Sequence, residues 1–149
     1  MNWYFANFLS DNLNFYPDDV KRLPIPVLSA EQQKPFIELG NTIISYYKQL
    51  DIKTEQFSNY LKSRFDKITF SKKLENWYNL NNVEFLLELK KNKISLKTKD
   101  EADLLSYFQE LKQETTSLIS NIEKKNSEID NLVYKIYNLT DEEIEIISK

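Results

Sequence analysis

FQELKQETTSLISNIEKKNSEIDNLVYKI, residues 108–136, decides the architecture. Phe108, Leu111, Thr115, Leu118, Ile122, Lys125, Ile129, Leu132 and Ile136 follow one another at steps of three and four without a break. Such a 3.5-residue period keeps one seam of a helix against a partner helix. Thr115 and Lys125 are polar interruptions that weaken the seam and can fix its register. An ordinary amphipathic bundle helix has nearly the same pattern and differs mainly in crossing angle, so both packings stand at this point.

The partner lies upstream. Phe36, Leu39, Ile43, Tyr46, Leu50, Phe57, Leu61 and Phe65 repeat at similar spacing, with Lys53 as a polar interruption. Ser29 and Gln32 make a Ser-x-x-Gln capping box that opens this helix. Pro35 interrupts early, so the regular helix is expected from near Lys34, over about 34–67. Two long striped helices separated by about 30 residues pair most simply as an antiparallel hairpin. Between them, Leu74, Trp77 and Leu80 suggest a helix near 72–80, and Val83, Leu86 and Leu87 a second near 82–91. KNKISLKTK, which follows, reads as extended.

The expected fold is therefore all-α: a long, coiled-coil-like antiparallel helical hairpin with a small helical cluster at its tip and an irregular N-terminal strap. The segments of this one domain are an aromatic and proline-rich strap (1–28), a first long helix (29–68), a small basic cluster (69–99), and a second long helix with a short capping helix (100–149). Within the strap, Trp3, Tyr4 and Phe8 can line one face of a short helix. Asp18 or Asp19 can cap the turn DVKRL. LPIPV cannot be helical, because each proline lacks an N–H and pushes its predecessor towards an extended conformation.

Composition agrees and narrows the chemistry. The 149 residues include one glycine, Gly40, and four prolines, too few tight turns for an all-β sandwich. Cysteine and histidine do not occur. That removes disulfides, thiol nucleophiles, imidazole bases and zinc sites of the usual kind. No basic leader opens the chain and no apolar run approaches membrane-spanning length, so a soluble cytoplasmic protein without a membrane partner is expected. The net charge of −3 hides a strong asymmetry. Residues 1–52 net −2, residues 53–99 carry eleven basic and five acidic side chains for a net of +6, and residues 100–149 net −7.

YKIYNLTDEEIEII, residues 134–147, turns a corner. Asn138 stands where a helix C-terminus needs a left-handed residue. Thr140 and Glu143 form a Thr-x-x-Glu capping box that starts a short last helix. This corner resembles the closing segment of bacterial restriction–modification DNA methylases, type IIG and related enzymes with a TaqI-like C-terminal specificity region. Ile129, Asp130, Val133, Tyr134, Tyr137, Leu139, Thr140, Glu142, Glu143 and Ile144 match a pattern such as I-D-x-x-V-Y-x-L-Y-G-L-T-x-E-E-I, with Asn138 in place of glycine and Ile136 in place of leucine. YPDDVKRLPIPVLSAEQQKPFIEL resembles that family's exit from its target-recognition domain, through Asp18, Asp19, Leu23, Pro24, Pro26, Gln33, Lys34, Pro35 and Phe36. FSKKLENWYNLNNVEFLLELKK resembles the segment between the two long helices.

The resemblance implies the non-catalytic C-terminal piece of a DNA adenine methyltransferase, or a split or truncated relative, that supports a target-recognition domain and contacts DNA phosphates or the methylase body. The parent would transfer methyl from S-adenosylmethionine to adenine N6, with or without Mg²⁺-dependent cleavage. The family's Asn-Pro-Pro-Tyr loop and glycine-containing cofactor loop are both missing here, so no catalytic residue, cofactor or metal is assigned to this chain.

Other chemistry weakens on inspection. Pro17-Asp18 with Glu88-Leu89-Lys90 imitates a PD…E-x-K nuclease, but that pattern needs its groups on strands around a metal. Asp141, Glu142 and Glu143 suit the positive end of the last helix better than an octahedral cation. The tyrosines (Tyr46, Tyr47, Tyr60, Tyr78, Tyr107, Tyr134, Tyr137) mostly fall on seams, where packing explains them. The remaining candidates are Lys67, Lys72, Lys73, Lys90, Lys91, Lys93, Lys97 and Lys99 on the tip, suited to neutralising phosphates without reading bases. Among the basic residues there, Arg64 alone has the geometry for bidentate base contact. A stand-alone coiled-coil interaction module with no DNA role is the rival, and exposed helix faces leave room for a homodimer.

Overall fold

The computed structural model describes residues 25–148. Expectations for residues 1–24, including the strap helix and the Asp18/Asp19 cap, lie outside the described residues. The described chain is all-α: α1 (Ala30–Arg64), α2 (Lys72–Glu75), a 3₁₀ turn (Trp77–Asn79), α3 (Asn82–Lys91), α4 (Thr98–Ile136) and α5 (Asp141–Ile147). The described residues contain no strand, and none of their helices is long and apolar enough to cross a membrane. Two compact units divide the chain, residues 38–127 and residues 1–37 with 128–149. Both long helices contribute to each.

In the larger unit α1 and α4 run antiparallel, and the cross-links show it. Arg64 pairs with Asp100 at 3.6 Å, Gln56 donates to the Tyr107 hydroxyl at 3.0 Å, and Lys53 pairs with Glu114 at 2.6 Å. Partner numbers rise on α4 as they fall on α1. The core gathers where the short elements fold onto this pair: Phe57, Leu61, Leu74, Trp77, Phe85, Leu104 and Phe108 are all fully buried. Phe57 has Trp77 at 4.4 Å, Phe85 at 5.6 Å and Phe108 at 5.8 Å between ring centroids. Phe85 stacks flat on Phe108 at 4.4 Å. Aromatic pairs add about 0.5–1.5 kcal/mol each beyond the area they bury. Thr115, one of the seam's two polar residues, is fully buried with its hydroxyl unpartnered among the described residues.

Local chemistry places each boundary. The Ser29–Gln32 box closes in both directions, Ser29 N–H to Gln32 Oε1 at 3.0 Å and Gln32 N–H to Ser29 Oγ at 3.3 Å. With its first donors satisfied, α1 begins at Ala30, earlier than Pro35 suggests; the proline sits inside the helix at the cost of one backbone bond. The expected helix over 72–80 is instead two pieces. Asn76 turns its side-chain amide back to the Lys72 carbonyl at 2.9 Å, and its backbone (φ −103, ψ 43) ends α2 and starts the 3₁₀ turn. Side-chain competition of this sort is why Asn breaks helices. α3 opens on a complete Asn81–Glu84 capping box.

Lys93 is the unexpected backbone feature. It takes a left-handed φ of 60, Ile94 N–H reaches back to Leu89 C=O at 3.1 Å, and Lys93 N–H bonds Lys90 C=O at 2.9 Å. This six-to-one and five-to-two pair is a Schellman ending, in which glycine is the usual left-handed residue. KNKISLKTK is thus a helix ending and a short connector before α4, which begins at Thr98.

The smaller unit, over its described residues, repeats that ending at Asn138 (φ 51), where Leu139 N–H bonds Tyr134 C=O at 3.0 Å. Thr140 and Glu143 then form a reciprocal capping box opening α5. The Thr140 N–H and hydroxyl hold the Glu143 carboxyl below its ordinary range. No described side chain in this unit is fully buried; a groove of about 540 Å³ runs between Pro26, Val27 and Phe36 on one side and Leu132, Ile136 and Asn138 on the other.

A left-handed lysine costs about 1–2 kcal/mol relative to glycine's freedom there, partly offset by glycine's larger unfolded-state entropy. Lys93→Gly is expected to raise stability by about 0.5–1 kcal/mol. The check is a urea midpoint that moves up at unchanged slope.

Candidate functional site

All eight tip lysines lie in the larger unit, and all are exposed. Lys67 is on the loop of residues 65–71. Lys72 and Lys73 form the first turn of α2, and Lys90 and Lys91 the last turn of α3. Lys93 is the left-handed residue after it, Lys97 precedes α4, and Lys99 is in α4's first turn. Two devices draw these pieces together. Thr69 N–H donates to Asn92 Oδ1 at 2.7 Å, fastening the Lys67 loop to the end of α3. The Ser71 hydroxyl accepts from Leu74 N–H, capping α2, and donates to Glu88 Oε2 at 2.7 Å.

The convergence is partial. Lys73, Lys90 and Lys91 share one groove of about 370 Å³ with Glu84, Leu87 and Glu88. Lys90 and Lys93 also flank a second hollow of about 310 Å³ that includes Leu86, Ser95 and Glu101. Lys67, Lys72, Lys97 and Lys99 line neither. Lys91 is paired with Glu88 at 2.6 Å; the other seven have no carboxylate within ion-pair distance among the described residues. Glu84 and Glu88 in the first groove and Glu101 in the second offset part of this charge.

Arg64 is committed to the hairpin. It donates to the Tyr60 hydroxyl at 2.9 Å and lies 3.6 Å from Asp100, so part of its fork is already engaged within the unit. Tyr60 and Tyr107 meet edge to face at 4.7 Å, each hydroxyl accepting from a neighbour. Glu88, read from sequence only as part of a nuclease-like pattern, is 3% exposed on a helix. Its carboxylate faces Ser71 and Lys91. Among the described residues no group of three or more acids gathers to hold a metal. The corner residues Asn138, Thr140 and Glu143 belong to the smaller unit.

Glu88 is the residue that sequence reasoning passed over. Its one signal is Lys91 three positions on, a spacing that puts both on one helix face. The Lys91 ammonium, then the Ser71 hydroxyl, outweigh burial and hold the Glu88 carboxyl below its ordinary range. The same Ser71 hydroxyl accepts from Leu74 N–H to cap α2, so the carboxylate ties α2 to α3.

The chain belongs to a family described as a domain of unknown function, DUF8810, whose model matches residues 29–133. The match takes in α1 to α3 and most of α4, and stops short of the corner. No curated protein and no solved structure matches the chain.

A carboxyl with a depressed folded pKa stabilises fully above the ordinary glutamate value of about 4.3, and the contribution disappears as pH falls through the folded value. Urea midpoints measured from about pH 6 down to about pH 3 should therefore fall more steeply for the wild type than for Glu88→Gln. Parallel acid limbs would remove Glu88 from the stability account.

Proposed function

We propose that this chain is a non-catalytic DNA-contacting helical module, the C-terminal piece of the specificity region of a restriction–modification adenine methylase. The observation that carries the reading is the tip: seven exposed lysines with no carboxylate at ion-pair distance among the described residues, in a segment that nets +6. Like charges crowded on short helices repel one another, and a polyanion relieves that repulsion while releasing its own counterions. Lysine suits phosphate contact rather than base reading, and Arg64, the exception, is engaged elsewhere. The three ordered sequence resemblances supply the parent: a bacterial, cytoplasmic methylase. Its other parts would hold S-adenosylmethionine, flip the adenine and, where cleavage accompanies methylation, bind Mg²⁺.

In this scheme the hairpin is a support. It supports the target-recognition domain or the methylase body along its length and brings its lysines to the DNA backbone. The rival, a protein-interaction module without DNA, takes its support from a different face. Ile44, Tyr47 and Ile52 of α1 are 54%, 48% and 62% exposed, an apolar content unusual for a solvated helix surface.

Titrating chain 1–149 with duplex DNA across a salt series separates the two. The DNA reading expects the logarithm of affinity to fall linearly with that of salt, by about 0.9 per phosphate neutralised. Joint reversal at Lys90→Glu, Lys91→Glu and Lys93→Glu is expected to abolish binding at moderate salt and flatten that slope. Absence of binding by the wild type, or no effect of the reversal, would favour the protein-interaction module.

A further inference from the structure

A carboxylate lies within the lysine groove, where a simple phosphate surface would have none. Glu88 is 3% exposed, and both its oxygens are occupied: Oε2 accepts from Ser71 at 2.7 Å and Oε1 from the Lys91 ammonium at 2.6 Å. The Lys91 side chain is still 68% exposed, so its head stands at the surface while being held from below. An ammonium has three donors, and two of them remain for another acceptor. Glu84, the other acid of the groove, accepts from Asn81 N–H at 2.8 Å in the α3 cap. Lys73 and Lys90, from α2 and α3, complete the groove without ion-pair partners among the described residues.

An exposed lysine head ordinarily samples many rotamers, and binding an anion restricts them. Fixing the head beforehand removes part of that cost, the general logic of preorganisation. We propose that Lys73, Lys90 and Lys91 form a single phosphodiester clamp in this groove, with Glu88 as its positioning residue through Lys91. This rests on the DNA-contact reading above. It goes further by selecting three of eight lysines and by giving an acid a favourable part in binding an anion.

Two pictures of the same surface differ in sign at Glu88. If the lysines act as diffuse charge, Glu88→Gln removes a repelling carboxylate and tightens DNA binding. If Glu88 positions Lys91, the same variant weakens binding although the net charge becomes more positive. Glutamine keeps the size of the side chain and an acceptor for Ser71, so the helix cap can survive the change.

The experiment is fluorescence anisotropy of chain 1–149 with a labelled random-sequence duplex, for wild type and Glu88→Gln, at several salt concentrations. The clamp expects roughly three- to tenfold weaker binding, the scale of one hydrogen bond's net worth. A second comparison stands should Glu88→Gln fold poorly: Lys90→Gln against Lys99→Gln, each losing one charge. The clamp expects the larger loss and the larger change in salt slope at Lys90. Tighter binding by Glu88→Gln, or equal losses at Lys90 and Lys99 if that variant does not fold, would overturn the clamp while leaving the DNA reading intact. A wild type that binds no duplex would overturn both.

Discussion

Phe57 is where the elements of the larger unit meet. It comes from α1, touches Trp77 of the 3₁₀ turn and Phe85 of α3, and faces Phe108 of α4. Helices of four and ten residues have too few internal bonds to persist alone. They hold here because each lowers one large apolar side chain (Leu74 from α2, Trp77 from the turn, Phe85 from α3) into a shared, fully buried centre. The positions of the exposed lysines follow from that centre. α2 and α3 can bring Lys73 and Lys90 to one groove only because their opposite faces are pinned to the hairpin.

Glu88 adds a second, polar tie between the same two helices. A buried carboxylate is costly unless paired and hydrogen-bonded, and this one is both, through Lys91 and Ser71. Phe85 and Glu88, three positions apart, lie on one buried face of α3, the aromatic filling the centre and the carboxylate fixing the last turn. Seven of the tip's eight lysines have no carboxylate within ion-pair distance among the described residues, and the partner proposed for that surface is a nucleic-acid backbone.

The long-range architecture was legible because it rests on a repeat. The seam from Phe108 to Ile136 and its partner from Phe36 to Phe65 state helix, length and pairing in a period that composition cannot mimic. Capping boxes at Ser29 and Thr140 were legible, since their spacing is their mechanism; the Asn81–Glu84 box has the same spacing but emerged only in the structure. Finer features were not. Asn76 divides α2 from the 3₁₀ turn by a side-chain bond to Lys72 that the hydrophobic pattern does not encode. Lys93 is left-handed although its residue type gives no warning; the chain has no glycine there, and the ending is fixed by Leu89 and Ile94. The burial of Glu88 depends on how α2 docks, and so does the choice of which lysines share a groove. A list of eight lysines could be drawn from sequence; the three that converge could not.

The central claim is that the tip's lysines meet a phosphate backbone. Lysine-reactivity footprinting of chain 1–149, with and without duplex DNA, addresses it directly, since each lysine reports separately by mass. The account predicts protection concentrated at Lys73, Lys90 and Lys91, weaker at Lys67, Lys72, Lys93, Lys97 and Lys99, and none at Lys48, Lys124 or Lys135. Uniform protection along the chain, or protection centred away from residues 67–99, would contradict it.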